Sequence, residues 1–253
     1  MTESETWFQP RMEWYLVRQT ALDLAGISKE VGLETQNVVF IGGMACSFHL
    51  QNAFGGRAAI SWRGTEDVDL AVFGIGGAQR LIKGISDFSL AECSAYKSHL
   101  PNKWSCRIRS KMGQGFVPTE REWVDVDLYG QTNRKGILLN KRRLNPKRII
   151  YDPPQLFKFG GNEIAVPSLR DTLILKLDVL QYSDLRPKDR FDVLSCLAVA
   201  EKRQIPLQRI MGEIFDKISS RVLFQKTARA MNSLNTTVES NEVPNNWFFP
   251  SRE

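Results

Sequence analysis

Two short segments set the terms for the fold. Asp67-Val-Asp-Leu-Ala-Val-Phe73 and Trp123-Val-Asp-Val-Asp-Leu-Tyr129 each alternate acids with apolar residues at a period of two. In an extended strand, residues i and i+2 leave the same face. Asp67 and Asp69 therefore stand side by side, as do Asp125 and Asp127, while Val68, Leu70, Val124, Val126 and Leu128 point the other way. Such a chain must build a sheet with one apolar face sealed by other elements and one face that gathers carboxylates. If the two strands are neighbours, three or four acids converge, and like charges ~4 Å apart cost on the order of 4 kcal/mol per pair at an effective dielectric near 20. A divalent cation offsets that cost, and oxygen donors with no His or Cys nearby favour Mg²⁺ or Mn²⁺ over zinc.

Other chemistries are poorly supplied. The four cysteines, Cys46, Cys93, Cys106 and Cys196, contain no CxxC pair, and the two histidines, His49 and His99, are far apart, which argues against a zinc site. Neither histidine sits in a recognisable nucleophile context, and His49, on an otherwise apolar helix, reads as a packing residue. The chain of 253 residues is 42% hydrophobic and 25% charged, enough to bury a sizeable core and unlike a disordered or low-complexity sequence. The longest apolar stretches are broken by Gly, His, Lys or Asp and fall short of a membrane span. Residues 1–11 are acidic and polar and do not read as a secretory signal, so the expected compartment is the cytoplasm, with no membrane partner.

Charge is unevenly spread. Residues 101–160 hold thirteen Lys or Arg against five Asp or Glu, an excess larger than the +6 of the whole chain. Arg107, Arg109 and Lys111 form one cluster, with Trp104 as a candidate stacking partner, and Lys141, Arg142, Arg143, Lys147 and Arg148 form a second. Such a region is either a solvated edge or a surface for polyanions such as RNA.

Apolar spacing predicts a first helix over Gln9 to Gly32, stopped by Gly32, and a buried strand Asn37 to Ile41 that runs into Gly42-Gly43. A helix over Met44 to Phe54 follows, then the strand Asp67 to Phe73 and a helix over Ala78 to Ile85. Further strands are expected at Ser105 to Arg109, Glu122 to Tyr129, Arg148 to Tyr151 and Glu163 to Val166. After Pro167 the pattern is helical, over Ser168 to Tyr182, Lys188 to Glu201, Leu207 to Ile218 and Val222 to Leu234, with Ser168 as the first helix start. The organisation read from this is a core over 1–166, a helical region over 167–234 and a tail over 235–253. Gly42-Gly43 between strand and helix frees the backbone to adopt φ > 0 and lets an anion reach the N–H groups at the helix start, a candidate phosphate seat. A phosphate seat beside carboxylates that hold metal is the equipment of phosphoryl or nucleotidyl transfer.

The order of these residues resembles a known pattern. Phe40-Ile-Gly-Gly-Met-Ala45, then His49, then Arg63-Gly-Thr-Glu-Asp-Val-Asp-Leu70 is similar to the opening signature of nucleotidyltransferase-fold proteins related to the AbiEii and MenT toxins. Their pattern is Gly-Gly or Gly-Ser, a helix, then Arg-x-Ser/Thr-x-Asp-hydrophobic-Asp. Val124 to Tyr129 resembles the strand that carries the third carboxylate. Pro167 to Leu180 is similar to the helix that supplies a phosphate-binding lysine, and Arg186-Pro-Lys-Asp-Arg-Phe-Asp-Val193 to the opening of the next helix. The resemblance spans residues 37–200. Gly43 departs from it, standing where many relatives have Ser, and Asn52 to Ile60 reads as an added loop.

The resemblance implies an α+β fold, a mixed sheet flanked by helices and followed by a helical region. It further implies that Asp67 and Asp69 hold Mg²⁺ or Mn²⁺ on a nucleoside triphosphate. Asp127 completes the site and serves as general base; Asp125 competes for that role, and the pattern favours Asp127. Gly42 and Gly43 seat phosphate, Lys176 neutralises the departing pyrophosphate, and Arg63 and Thr65 contact phosphates or hold their loop. Asp189 and Asp192 anchor the helical part through ion pairs, with Asp192 the better site candidate. Three functions remain open: transfer of a nucleotide to RNA such as a tRNA end, toxin-like and paired with an antitoxin; transfer to a protein or small molecule; or nucleotide or nucleic-acid binding without turnover.

Overall fold

The computed structural model describes residues 12–55, 65–87, 96–97, 103–109, 123–131, 152–180, 187–206, 208–210 and 212. The chain enters as helix α1, Met12–Glu30. Leu16, Val17, Ala21, Leu24 and Ile27 form its buried stripe, at the three- and four-residue spacing of a helix that presents one face to a core. Gly32 ends it at φ +70°, with Gly32 N–H donating to Lys29 O and Leu33 N–H to Ser28 O, the paired bonds of a left-handed helix stop.

A single 3₁₀ turn, Thr35–Asn37, leads into β1, Val38–Ile41, and then directly into α2, Gly42–Phe54. The sequence places Gly42-Gly43 in a turn before a helix starting at Met44; the two glycines are instead the first residues of that helix. There follow β2 (Asp67–Phe73), α3 (Gly77–Asp87), β3 (Tyr96–Lys97), β4 (Lys103–Arg109) and β5 (Trp123–Gln131). The hairpin β6 (Gln155–Phe159) and β7 (Asn162–Val166) precedes α4 (Leu169–Leu180) and α5 (Pro187–Lys202). The expected strand Arg148 to Tyr151, the helix Val222 to Leu234 and the tail 235–253 lie outside the described residues, as does most of the helix expected at Leu207 to Ile218.

Among the described residues seven strands form one sheet in the order β3-β4-β5-β2-β1-β7-β6. Its centre is mixed: β2 runs parallel to β5 and antiparallel to β1, and β1 runs parallel to β7, while β4 pairs antiparallel with β5. This is an α+β fold with a mixed sheet flanked by helices.

Period-two burial divides the sheet. On one face Val38, Phe40, Val68, Leu70, Val72, Val124, Val126, Leu128, Ile164 and Val166 join the residues of α1 to α5 in the main core. Burying each such side chain fully contributes roughly 1.5–3 kcal/mol. On the other face Val39, Ile41, Ala71, Phe73 and Ala165 form a smaller cluster with Leu175 of α4 and the ring of Tyr129. The main core continues across residue 167: Leu173, Val193, Cys196 and Leu197 share it with α2, and Cys46 Sγ lies 3.7 Å from Cys196 Sγ, both thiols free and buried.

Two local features fix the approach to α4. Ser168 Oγ accepts the N–H of Asp171 at 3.1 Å, capping the helix as its sequence position predicts. The Asp171 carboxylate accepts the N–H of Asp152 at 2.8 Å, tying the start of the β6–β7 hairpin to the same helix turn. Strand β6 is absent from the sequence-based expectations. Its signal is Gly160-Gly161 after alternating residues; both glycines have φ > 0, at 52° and 82°, as a two-residue hairpin turn requires.

Candidate active site

Strand β2 carries Asp67 and Asp69 on the face opposite the main core, and the parallel register sets Asp67 beside Asp125 and Asp69 beside Asp127. Neighbouring strands run ~4.8 Å apart, so the four acids form a two-by-two array on adjacent strands. The antiparallel register on the other side sets Ile41 opposite Asp69, and the chain turns into α2 at the very next residue. Gly42 takes φ +64°, and a Cβ built on it would run into the Asp69 carboxylate, with Asp69 Cγ at 3.3 Å. The start of α2 and Asp69 of β2 are thus in direct contact, and that contact requires glycine.

The electrostatics follow from crowding. The Asp69 carboxyl is pushed up to about 7 by burial first, then by the charges of Asp67 and Asp127, while Lys176 and Lys103 pull it down. Asp69 is half-buried, and Lys176 and Lys103 act on it through their charge. Asp67 is better supported, since Thr65 Oγ1 donates to its Oδ1 at 2.8 Å. Thr65 itself is buried at the entrance to the strand. Tyr129, two residues beyond Asp127 on the same face, has its hydroxyl held far above the usual tyrosine range by burial and then by Asp69, Asp127 and Asp67.

The two candidates for the third carboxylate differ in setting. Asp125 is exposed and paired with the exposed Arg107, Nε to Oδ1 at 2.8 Å. Asp127 is half-buried next to Asp69, and both its oxygens are engaged from β4: Lys103 Nζ at 2.5 Å on Oδ2 and Ser105 Oγ at 2.5 Å on Oδ1. Lys103 and Ser105 are absent from the sequence-derived site. Lys103, Ser105 and Arg107 alternate along β4 at the period of the acids they face, but only the cross-strand register reveals the match.

Lys176 does not reach into open space. It is buried between Asp189 Oδ1 at 3.1 Å and Asp192 Oδ2 at 2.5 Å, with Asp192 fully buried. Burial works to lower its affinity for a proton, but Asp192, Cys46 and Asp189 outweigh burial and leave the ammonium above its ordinary range. The anchoring ion pairs expected of Asp189 and Asp192 are therefore made with Lys176, which acts on Asp69 through its field. Gly43 is buried in the first turn of α2, and Arg63 lies outside the described residues. Trp104 faces away from Lys103 and Arg107: a Cβ on Gly130 would meet its ring, so it packs into the protein rather than offering a stacking surface beside the basic cluster. His49 is buried, with Nε2 3.0 Å from Pro167 O, and burial lowers its imidazole to about 4, so it is neutral at pH 7 and serves packing.

The donors fit a hard divalent cation in kind. Asp67 and Asp69 are oxygen ligands, and the mutual repulsion that raises Asp69 is what a cation would relieve. Yet among the described residues no three His, Cys, Asp or Glu side chains are gathered closely enough to hold a metal ion. Asp127, tied to β4, does not join the other two.

No protein-family model matches the chain, and no curated protein does. Among solved structures it is similar to an antigenic nucleotidyltransferase-like protein from Paracoccidioides brasiliensis, at 16% identity and a TM-score of 0.45, over 84% of this chain and 93% of that one. No helix among the described residues is long and apolar enough to cross a membrane.

Proposed function

We propose that this chain is a metal-dependent nucleotidyltransferase that moves a nucleoside monophosphate from a nucleoside triphosphate to an acceptor hydroxyl. The observation that carries the reading is the contact of Gly42 with Asp69, which sets a helix N-terminus against one of two neighbouring carboxylates on β2. The helix start favours anionic phosphate through its free N–H groups and its dipole. A Mg²⁺ or Mn²⁺ ion held by Asp67 and Asp69, with Asp127 completing the set, would neutralise charge on the transferring phosphoryl group.

The chain's own residues supply the rest. Gly42 keeps the backbone close enough for phosphate and carboxylates to share one space. Asp127 accepts the proton of the attacking hydroxyl, within the same field as Asp69. Lys176, clamped by Asp189 and Asp192, ties α4 to α5 beside the acid face and lowers the cost of charge on Asp69.

The acceptor class we assign is RNA, with a tRNA end first, bound along the basic stretch 101–160; the toxin role, a partner antitoxin and a cytoplasmic site of action belong to the same proposal. Incubation of the protein with each labelled nucleoside triphosphate, Mg²⁺ and total RNA or cell protein tests it. Label on RNA supports the assignment, and label on protein moves the acceptor to another class. Nucleotide binding without transfer to either removes the catalytic reading.

A further inference from the structure

Both oxygens of Asp127 are engaged by residues of the neighbouring strand β4. Ser105 lies directly opposite Asp127 across the antiparallel pair, and Lys103 opposite Tyr129, so Lys103 reaches diagonally back along β5 to the carboxylate. A lysine that served only to keep a strand soluble would extend into water, as the exposed Arg107–Asp125 pair on the same strands does, with side chains 66% and 53% accessible. Lys103 is 18% accessible and sits on the acid face, its ammonium 5.2 Å from the centre of the Tyr129 ring. That ring offers the ammonium a second seat on the same face when the carboxylate is withdrawn.

We propose that Lys103 is a built-in counter-ion: with Ser105 it holds Asp127 against β4, and Asp127 would leave both to join Asp67 and Asp69 around a divalent cation. The freed ammonium then faces the phosphate chain of the bound nucleotide. The inference rests on the reading of this face as a nucleotidyl-transfer site. Lys103 and Ser105 are positioning residues in this scheme, acting on the cation through Asp127.

Mn²⁺ binding followed by electron paramagnetic resonance tests it on the full chain, in wild type, Asp69→Asn, Lys103→Met and Ser105→Ala, the last being free of any change in charge. The acylation rate of the Lys103 amine, read by mass spectrometry with and without saturating Mg²⁺, gives a second readout independent of activity. Both β4 variants are expected to bind Mn²⁺ about fivefold tighter than wild type. Lys103 is expected to acylate several-fold faster with Mg²⁺, and to show no Mg²⁺ effect in Asp69→Asn. If Asp69→Asn loses Mn²⁺ while neither β4 variant gains, and Mg²⁺ leaves Lys103 acylation unchanged, the site stands and the counter-ion exchange is wrong. Tightening in Lys103→Met alone, with unchanged acylation, reduces the effect to a through-space field and also overturns the exchange. If no form binds Mn²⁺, the metal site fails and takes the inference with it.

Discussion

The place that a Cβ would take on Gly42 is filled by the carboxylate of Asp69. Two residues that are 27 positions apart in sequence are thereby made interdependent: one must lack a side chain so that the other can sit at the head of α2. Gly42→Ala should lower stability by roughly 1–3 kcal/mol, from the positive φ together with displacement of Asp69. The check is a urea denaturation curve, expected to shift its midpoint with little change in slope.

The pH dependence of stability should separate two groups that pull in opposite directions. Asp69 is raised from 3.8 to about 7 in the folded chain, so the folded state holds its proton more tightly than the unfolded state. Its contribution is fully present below about pH 4 and is lost as pH rises through 7. His49 is lowered from 6.5 to about 4, so its contribution is present above pH 6.5 and lost as pH falls through 4. A wild-type curve blends the two. The difference between wild type and Asp69→Asn isolates the aspartate: the variant should gain relative to wild type between pH 5 and 8, by on the order of 2 kcal/mol or more. Melting temperatures across that range would show a parallel pair of curves if Asp69 titrated normally.

Lys176 offers a structural test. Lys176→Met removes the buried ammonium that pairs with both Asp189 and Asp192, and should cost about 3–5 kcal/mol. Lys176→Arg, which keeps the charge in a less fitting shape, should cost less. Equilibrium unfolding of the two variants measures the gap, and equal small losses would mean the triad is far wetter than its burial indicates.

The two carboxylates of β5 should divide cleanly in an activity assay. Asp125 is exposed and its pair with Arg107 is of the kind worth at most about 1 kcal/mol, so Asp125→Asn should leave transfer within about fivefold of wild type. Asp127→Asn removes the group assigned to the acceptor proton and should lower kcat by about 100-fold or more. The reverse order would hand the role to Asp125.

The acid strands were legible because one face had to be buried: Val68, Leu70, Val126 and Leu128 left Asp67, Asp69, Asp125 and Asp127 no choice of side. Strand β2 has the bounds that its alternation predicts. What alternation cannot show is which strands are neighbours, so the parallel pairing of β2 with β5 and the reach of Lys103 to Asp127 appear only once the sheet is assembled. Local rules misled at Gly42, because two glycines read as a break even where a helix starts on them to make room for a carboxylate. Strand β6 has a weak signal in the sequence because it follows Pro153-Pro154, a pair that reads as loop. Lys176 and Asp192 drew notice through a resemblance of order, whereas their mutual burial is a property of how α4 meets α5.

The unbroken core across residue 167 has a practical meaning for dissecting the molecule. A fragment ending at Val166 would keep all the acidic side chains of the sheet yet strip α2 of the helices that pack against Cys46 and its neighbours, baring apolar side chains that are buried in the full fold. Such a piece should precipitate instead of serving as a minimal enzyme, and the helices that follow are better regarded as the second half of one folding unit than as a removable accessory.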